Sequence, residues 1–218
     1  MSSPSRAPRH TLSRERLVAA ALDLADSEGI SALTIRALAS GLGVKPMAIY
    51  HHVANKDEIL DAIVDAVYAE TYLPRPYAPW REELARRTRS VHDALNRHPW
   101  ALGLMETRKA PGPANLASHE AVLEVLLTAG FSLGATAHAY ATLDAFVYGF
   151  CLQEVMLDSI DLAGSADDLL AGMNLTGHPR MAQFAAEHVL QPGYAFGDSF
   201  EVGLGLVLDG LEQLRRSA

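Results

Sequence analysis

From about residue 13 onward, apolar residues recur at helical rather than alternating spacing, and nothing sustains the period-2 pattern of a strand. Leu17, Val18, Ala21, Leu22 and Ala25 mark a first helix over about 13–28, with Ser13 as its cap and Gly29–Ile30 as its stop. Thr34 caps a second helix carrying Ile35, Leu38, Ala39 and Leu42, and Leu33 stands where a hydrophobic staple to Leu38 requires it. Gly41 and Gly43 break that helix. Pro46 then opens a short third one, to about His52, at the position where a missing N–H costs nothing. Asn55 and Glu58 form a capping-box pattern ahead of Ile59, Leu60, Ile63, Val64 and Val67. After Pro74, Pro76 and Pro79 the pattern predicts helices over about 80–97, 99–108, 113–129, 132–158, 179–190 and 196–216. Residues 159–178 mix Gly, Asp and small residues without a period and read as a flexible insertion; residues 1–12 read as a flexible basic arm.

Composition fits a folded, all-α chain: 218 residues, 49% hydrophobic and 20% charged. Apolar runs are interrupted before the ~20 residues of a membrane span, and no secretion leader is recognisable, so the expected setting is the cytoplasm without a membrane partner. The single cysteine, Cys151, excludes an internal disulfide and a multi-cysteine zinc site, and reads as a buried small apolar residue. Charge changes the picture more. The net charge is −8, yet residues 1–59 hold seven Lys and Arg against six Asp and Glu, and the acidic excess lies in the remainder. A small module that touches an anion, joined to an acidic body, fits this asymmetry.

Residues 34–53, TIRALASGLGVKPMAIYHHV, are a helix, a glycine turn and a second helix. Ile35, Leu38, Ala39, Val44, Ile49 and Val53 clamp the two, leaving Lys45, Met47, Ala48, Tyr50 and His51 on the outer face. A helix held proud of its domain is what entry into a DNA major groove requires. The segment ALDLADSEGISALTIRALASGLGVKPMAIYHHVANKDEIL carries G-x-x-x-L-T-x-R-x-[LIV]-A, then L-G-V, then an aromatic-His-Val ending before N-K. It resembles the DNA-binding domain of the tetracycline-repressor (TetR) family of bacterial transcriptional regulators. PGYAFGDSFEVGLGLVLDGLEQL resembles the last helix of the branch nearest the tetracycline repressor itself.

The resemblance implies a helix-turn-helix domain over 13–58 and a larger effector-binding and dimerisation domain over 59–218. It implies a base contact for Arg36, with a bidentate Arg–guanine pair giving about 1–3 kcal/mol of discrimination. It places Lys45, Met47 and Ala48 at base edges, and Thr34, Tyr50, His52 and Lys56 near phosphates. Pro46, Met47 and Ala48 depart from the polar side chains that often read bases here. His51 and His52 point about 100° apart on a helix and make no shared metal site. Arg6 and Arg9 suit a minor-groove arm or a solubilising tail.

For the body, the resemblance implies an effector pocket, for which Trp100, Met105, His119, Tyr140, Asp144, Phe146 and Tyr148 are the candidates because they mix aromatic bulk with polar groups. His119 and Asp144 either bind a polar ligand group or pair. Helices 132–158 and 196–216 are the expected homodimer elements, with Gly203, Gly205 and Gly210 allowing close approach.

The expected function is a repressor, a homodimer on a palindromic operator, released by a small molecule, with no cofactor, metal or catalytic residue. An activator and a ligand-independent regulator share these signals. A rival of another class rests on Gly130-Phe131-Ser132-Leu133-Gly134, which matches a serine-hydrolase elbow with Asp144 and His178 following in order. That motif needs a preceding strand, whereas Gly130–Phe131 reads as a helix stop and Ser132 as the next cap.

Overall fold

The computed structural model describes residues 12–105, 107–108, 110–159, 175 and 177–217. The arm over 1–11 and most of the 159–178 segment lie outside the described residues. Among the described residues there are ten α-helices and no strand. They are α1 (Arg14–Glu28), α2 (Ile35–Gly41), α3 (Pro46–Ile49), α4 (Lys56–Ala69), α5 (Trp80–Arg97), α6 (Leu102–Met105), α7 (Pro113–Thr128), α8 (Leu133–Ser159), α9 (Pro179–Phe184) and α10 (Ser199–Ser217). No described helix is long and apolar enough to cross a membrane.

Local chemistry sets the helix ends. Ser13, Thr34 and Asn55 each accept a backbone N–H in the first turn of α1, α2 and α4. α2 closes in a paired-hydrogen-bond stop: Val44 N–H donates to Ala39 at 2.9 Å and Gly43 N–H to Ser40 at 3.1 Å, with Gly43 at φ 66°. The capping box of α4 is displaced by one residue, because Glu58 takes the N–H of Ala54 at 2.8 Å rather than that of Asn55. α3 is shorter than expected, ending at Ile49 and continuing as turns that bring His52 N–H to Ile49. The expected 99–108 helix is a 3-10 turn (Pro99–Ala101) followed by α6, and the 179–190 helix relaxes after α9 into a π turn over Ala185–Val189.

Two cores divide along one helix. Leu17, Ala21, Leu38, Ile49, Ile59 and Ile63 belong to the first; Val64, Val67 and Tyr68 belong to the second, with Leu84, Val91, Leu126, Leu143, Val147, Phe200 and Leu204. The change of core falls between Ile63 and Val64, inside the unbroken α4, so any rotation or shift of α4 in the body is felt by the small domain.

Ser132 and Asp144 lie on one helix and its cap, about 18 Å apart at 1.5 Å per residue, and Asp144 is engaged by a buried arginine. Ser132 Oγ accepts the N–H of Ala135, while Gly130 (φ 89°) and Phe131 close α7. The elbow sequence therefore works as a helix stop and a helix cap.

Candidate DNA interface and buried polar cluster

The helix-turn-helix builds an exposed cationic face. Leu38, Ala39 and Ile49 are buried and fix α3 against α2. Arg36, Lys45, Met47, Tyr50, His51 and Lys56 are exposed on the outside; Ala48 and His52 are half-buried. Thr34 is exposed, with its hydroxyl already accepting the N–H of Ala37 at 3.1 Å. Carboxylates engage the cations elsewhere: Arg14 pairs with Glu58, Arg75 with Glu83, Arg81 with Asp209, Arg89 with Glu201, Arg97 with Glu70 and Arg108 with Asp57 and Asp61. Among the described lysines and arginines, the side chains of Arg36, Lys45 and Lys56 alone have no such bond, ion pair or ring contact. Lys56 also opens α4, whose free N–H groups add to its attraction for a phosphate.

The body encloses a second constellation. Arg87 on α5 is fully buried, and its Nη1 donates to Asp144 Oδ1 at 2.7 Å. Tyr148 and Tyr68 share a hydrogen bond between hydroxyls at 3.2 Å, and Tyr140 bonds His119 Nδ1. The rings of Tyr68, His119 and Tyr140 meet edge to face at 5.6 and 5.4 Å. Burial, then the Asp144 charge, holds the Tyr140 and Tyr148 hydroxyls well above the ordinary tyrosine range, so both stay neutral.

Four of the seven residues expected at a pocket thus come together: His119, Tyr140, Asp144 and Tyr148. Asp144 pairs with Arg87 and His119 with Tyr140, rather than with each other. Met105 is a buried member of the second core. Trp100 and Phe146 lie elsewhere. Trp100 packs on both cores and donates to Asp26 at 2.6 Å, and Phe146 packs on Phe200 over Gly203, where a Cβ would stand 2.7 Å from its ring. Sequence reasoning missed Arg87 and Tyr68. A signal for Arg87 existed, since it falls three after Leu84 and four before Val91 on the apolar stripe of α5.

Cys151 is buried as expected, and burial first, with nearby Glu154, pushes its thiol up to about 12. Its sulfur lies with His92 and Glu154 in a group of metal-capable atoms within 4.8 Å of one another, in which His92 and Glu154 already bond each other at 2.7 Å.

These features have close counterparts. Residues 17–63 match the bacterial regulatory proteins of the tetR family, and residues 73–215 match the tetracyclin repressor-like C-terminal domain. The chain belongs to the TetR family. It is a DNA-binding transcriptional regulator built from that family's two domains. The tetracycline repressor protein class A of Escherichia coli is 34% identical over 91% of this chain and 90% of its own length. The transcriptional repressor DrrR1 of Streptomyces coeruleorubidus is 30% identical over 97% of this chain and 81% of its own. Apo ActR from Streptomyces coelicolor superposes with a TM-score of 0.79 at 27% identity, covering 98% of this chain and 99% of that one. ActR has also been solved with actinorhodin, at a TM-score of 0.77 and 28% identity over 94% and 96% of the two chains.

Proposed function

We propose that this TetR-family chain is a cytoplasmic repressor that holds a palindromic operator as a homodimer and releases it when a small molecule enters the body. The observation that carries the DNA half is the set of unpartnered cations, Arg36, Lys45 and Lys56, on the exposed face of the helix-turn-helix. Cations with no protein partner are available to phosphates and to guanine edges. In this reading Arg36 and Lys45 read bases, Met47 and Ala48 make apolar contacts with thymine methyls, and Thr34, Tyr50, His51, His52 and Lys56 line the backbone.

The dimer half rests on exposed apolar residues spaced one turn apart on the two expected helices: Leu152 and Met156 on α8, Val202 and Leu206 on α10. Gly205 and Gly210 on α10 face open space, which leaves room for a partner helix. Two reading heads in a symmetric dimer meet adjacent major grooves about 34–36 Å apart. A ligand that favours another spacing then weakens DNA binding, and DNA weakens ligand binding by the same factor.

α4 is the transmitter in this scheme. Arg108 reaches back from beyond α6 to Asp61 and Asp57, and Asp65 of α4 accepts the Asn115 N–H in the first turn of α7 at 2.9 Å. Selection of random duplex DNA on the purified protein at fixed salt tests the reading. An inverted repeat, lost with Arg36→Ala, is expected, and fractions of cell extract screened against that repeat should contain one that releases it. Failure to enrich any sequence, with effector-free refolded protein, defeats the DNA half; enrichment of a single half-site defeats the dimer.

A further inference from the structure

α5 and α8 run side by side, and more than a turn beyond the Arg87–Asp144 pair they bring a second set of reactive side chains together. His92 lies on α5, and Cys151 and Glu154 lie on α8. Cys151 and Glu154 are spaced i, i+3 and so share one face of their helix. One ligand atom from each of the three residues lies within 4.8 Å of the other two. Glu154 Oε2 stands 2.7 Å from His92 Nε2. No local spacing announces this group, because His92 and Glu154 are 62 residues apart.

The surroundings hold these donors in place. The His92 ring stacks on Phe200 at 4.0 Å and meets Phe150 edge to face at 6.0 Å, with Nε2 turned toward Glu154. Its other nitrogen, Nδ1, lies 3.9 Å from Asp93 Oδ1, where a metal-bound imidazole carries its supporting carboxylate. The second Glu154 oxygen stands against Gly197, where a Cβ would lie 3.0 Å from it. Cys151 is fully buried, whereas the His92 and Glu154 side chains each keep 15% exposure, which gives an ion a way in and a water a place beside it. Sulfur, imidazole nitrogen and carboxylate oxygen together suit zinc, whereas Mg2+ and Ca2+ take oxygen ligands. One thiolate and one carboxylate also balance a divalent charge, as a site with little water requires.

We infer that His92 Nε2, Cys151 Sγ and a Glu154 carboxylate oxygen bind a zinc ion, with water in the fourth position. Zinc bonds of about 2.0–2.3 Å set neighbouring ligand atoms ~3.3–3.7 Å apart, so the His92–Glu154 contact opens by about an ångström or less. Binding breaks that contact and turns the Asn96 amide, 3.3 Å from the same nitrogen, off the ring. Zn–N, Zn–S and Zn–O bonds form, the thiol proton goes to solvent, and the imidazole proton rests on Nδ1 toward Asp93. Burial keeps the thiol protonated on its own, and the charge of a coordinated divalent ion reverses that preference. The ion ties α5 to α8 through the ring that carries Phe200 of α10. It is independent of the effector reading above, and its failure leaves that reading standing.

The test uses the full-length protein freed of metal by chelation, with Co2+ as the spectroscopic probe and Zn2+ as the competitor. Cys151 is the chain's single cysteine, so a thiolate-to-cobalt charge-transfer band in the parent protein reports this site without any variant. That band is expected together with the strong visible absorption of tetrahedral cobalt, saturating at one ion per chain. Zn2+ should bleach both signals, and Mg2+ should bleach neither. Glu154→Gln keeps the size of the side chain and the thiol, and should retain the band while cobalt affinity falls about tenfold or more. Cys151→Ser should lose the band. Zn2+ should raise the unfolding midpoint of the parent and leave that of Cys151→Ser nearly unmoved.

Absence of the charge-transfer band at saturating cobalt overturns the inference. A band with the parent's affinity in both Glu154→Gln and His92→Gln also overturns it, because the thiolate then binds with other residues. Equal stabilisation of the parent and Cys151→Ser by Zn2+ assigns the ion to histidines elsewhere on the surface, and overturns it as well. If Cys151→Ser does not fold, the parent's band and the Glu154→Gln titration decide the question by themselves.

Discussion

His98 Nδ1 lies 2.7 Å from Asp26 Oδ1, joining the turn after α5 to the last turns of α1 and so the body to the DNA-binding domain. The same Asp26 oxygen accepts from Trp100 Nε1 at 2.6 Å, and His98 Nε2 faces Glu70 at 3.2 Å. His98 is buried, so its ring depends on these acceptors rather than on water. Asp26→Asn keeps the size but weakens a charge-assisted bond, and should destabilise the chain by about 1–3 kcal/mol. Urea unfolding measures this. An unchanged midpoint would mean that the junction is held by packing alone.

On the proposed reading Arg36 meets a base and Lys56 a phosphate, so the two are expected to fail differently. Arg36→Ala should relax sequence preference at one operator position at a cost of about 1–3 kcal/mol. Lys56→Ala should weaken all duplexes evenly and lower the slope of log affinity against log salt by about 0.9 per lost phosphate contact. Titrations at several salt concentrations on operator and scrambled DNA separate the two, and identical profiles would remove Arg36 from base readout.

Leu206 is 69% exposed on α10, four residues after Val202 at 66%. If a partner chain covers this stripe, Leu206→Glu places a charge in an apolar interface and should shift the protein to monomers in light scattering, with operator affinity falling by at least tenfold. A dimer that persists at the same concentration would move the interface elsewhere.

The helix-turn-helix was legible because local rules govern it. Thr34, the Gly43 turn, Pro46 and Asn55 act within a few residues of themselves, and each does in the structure what its residue type dictates. Glu58 takes the Ala54 N–H with one oxygen while Arg14, 44 residues away, holds the other, a long-range contact that no local pattern announces. The interior was less legible for the same reason: Arg87 meets Asp144 across 57 residues, and no local pattern reports that pairing. Aromatic content pointed to Tyr140 and Tyr148, which the structure brings together with Tyr68 and His119. It pointed equally to Trp100 and Phe146, whose neighbours depend on which face of a helix meets which core.

Glu83 gives the chain a defined acid limb. Arg75 donates to it from its guanidinium, Tyr72 from its hydroxyl, and Arg75 again from its backbone N–H, and these bonds lower its carboxyl to about 2. A folded group that ionises below its unfolded counterpart stabilises the fold fully above the ordinary range near 4.5. That contribution is lost as pH falls from there toward about 2. Glu83→Gln should therefore be less stable than the parent at pH 6, with the gap narrowing as pH drops through this window. A gap independent of pH would show that the carboxylate contributes by shape alone.

Gly112 precedes α7 with the carboxylate of Asp65 against it, and a Cβ there would stand 2.2–2.6 Å from the carboxyl atoms. Asp65 cannot yield without cost, because its Oδ1 accepts the Asn115 N–H and so satisfies a free donor at the start of α7. Gly112→Ala should therefore cost about 1–3 kcal/mol, mostly by pushing Asp65 off that N–H rather than through the methyl itself. Asp65→Ala removes both the cap and the obstacle. In that background the alanine at 112 should cost far less, giving a coupling energy of about 1 kcal/mol or more between the two positions. Because Asp65 sits on α4, the single Gly112→Ala variant should also alter operator affinity. Additive stabilities in the four-protein cycle would show that Asp65 moves aside freely.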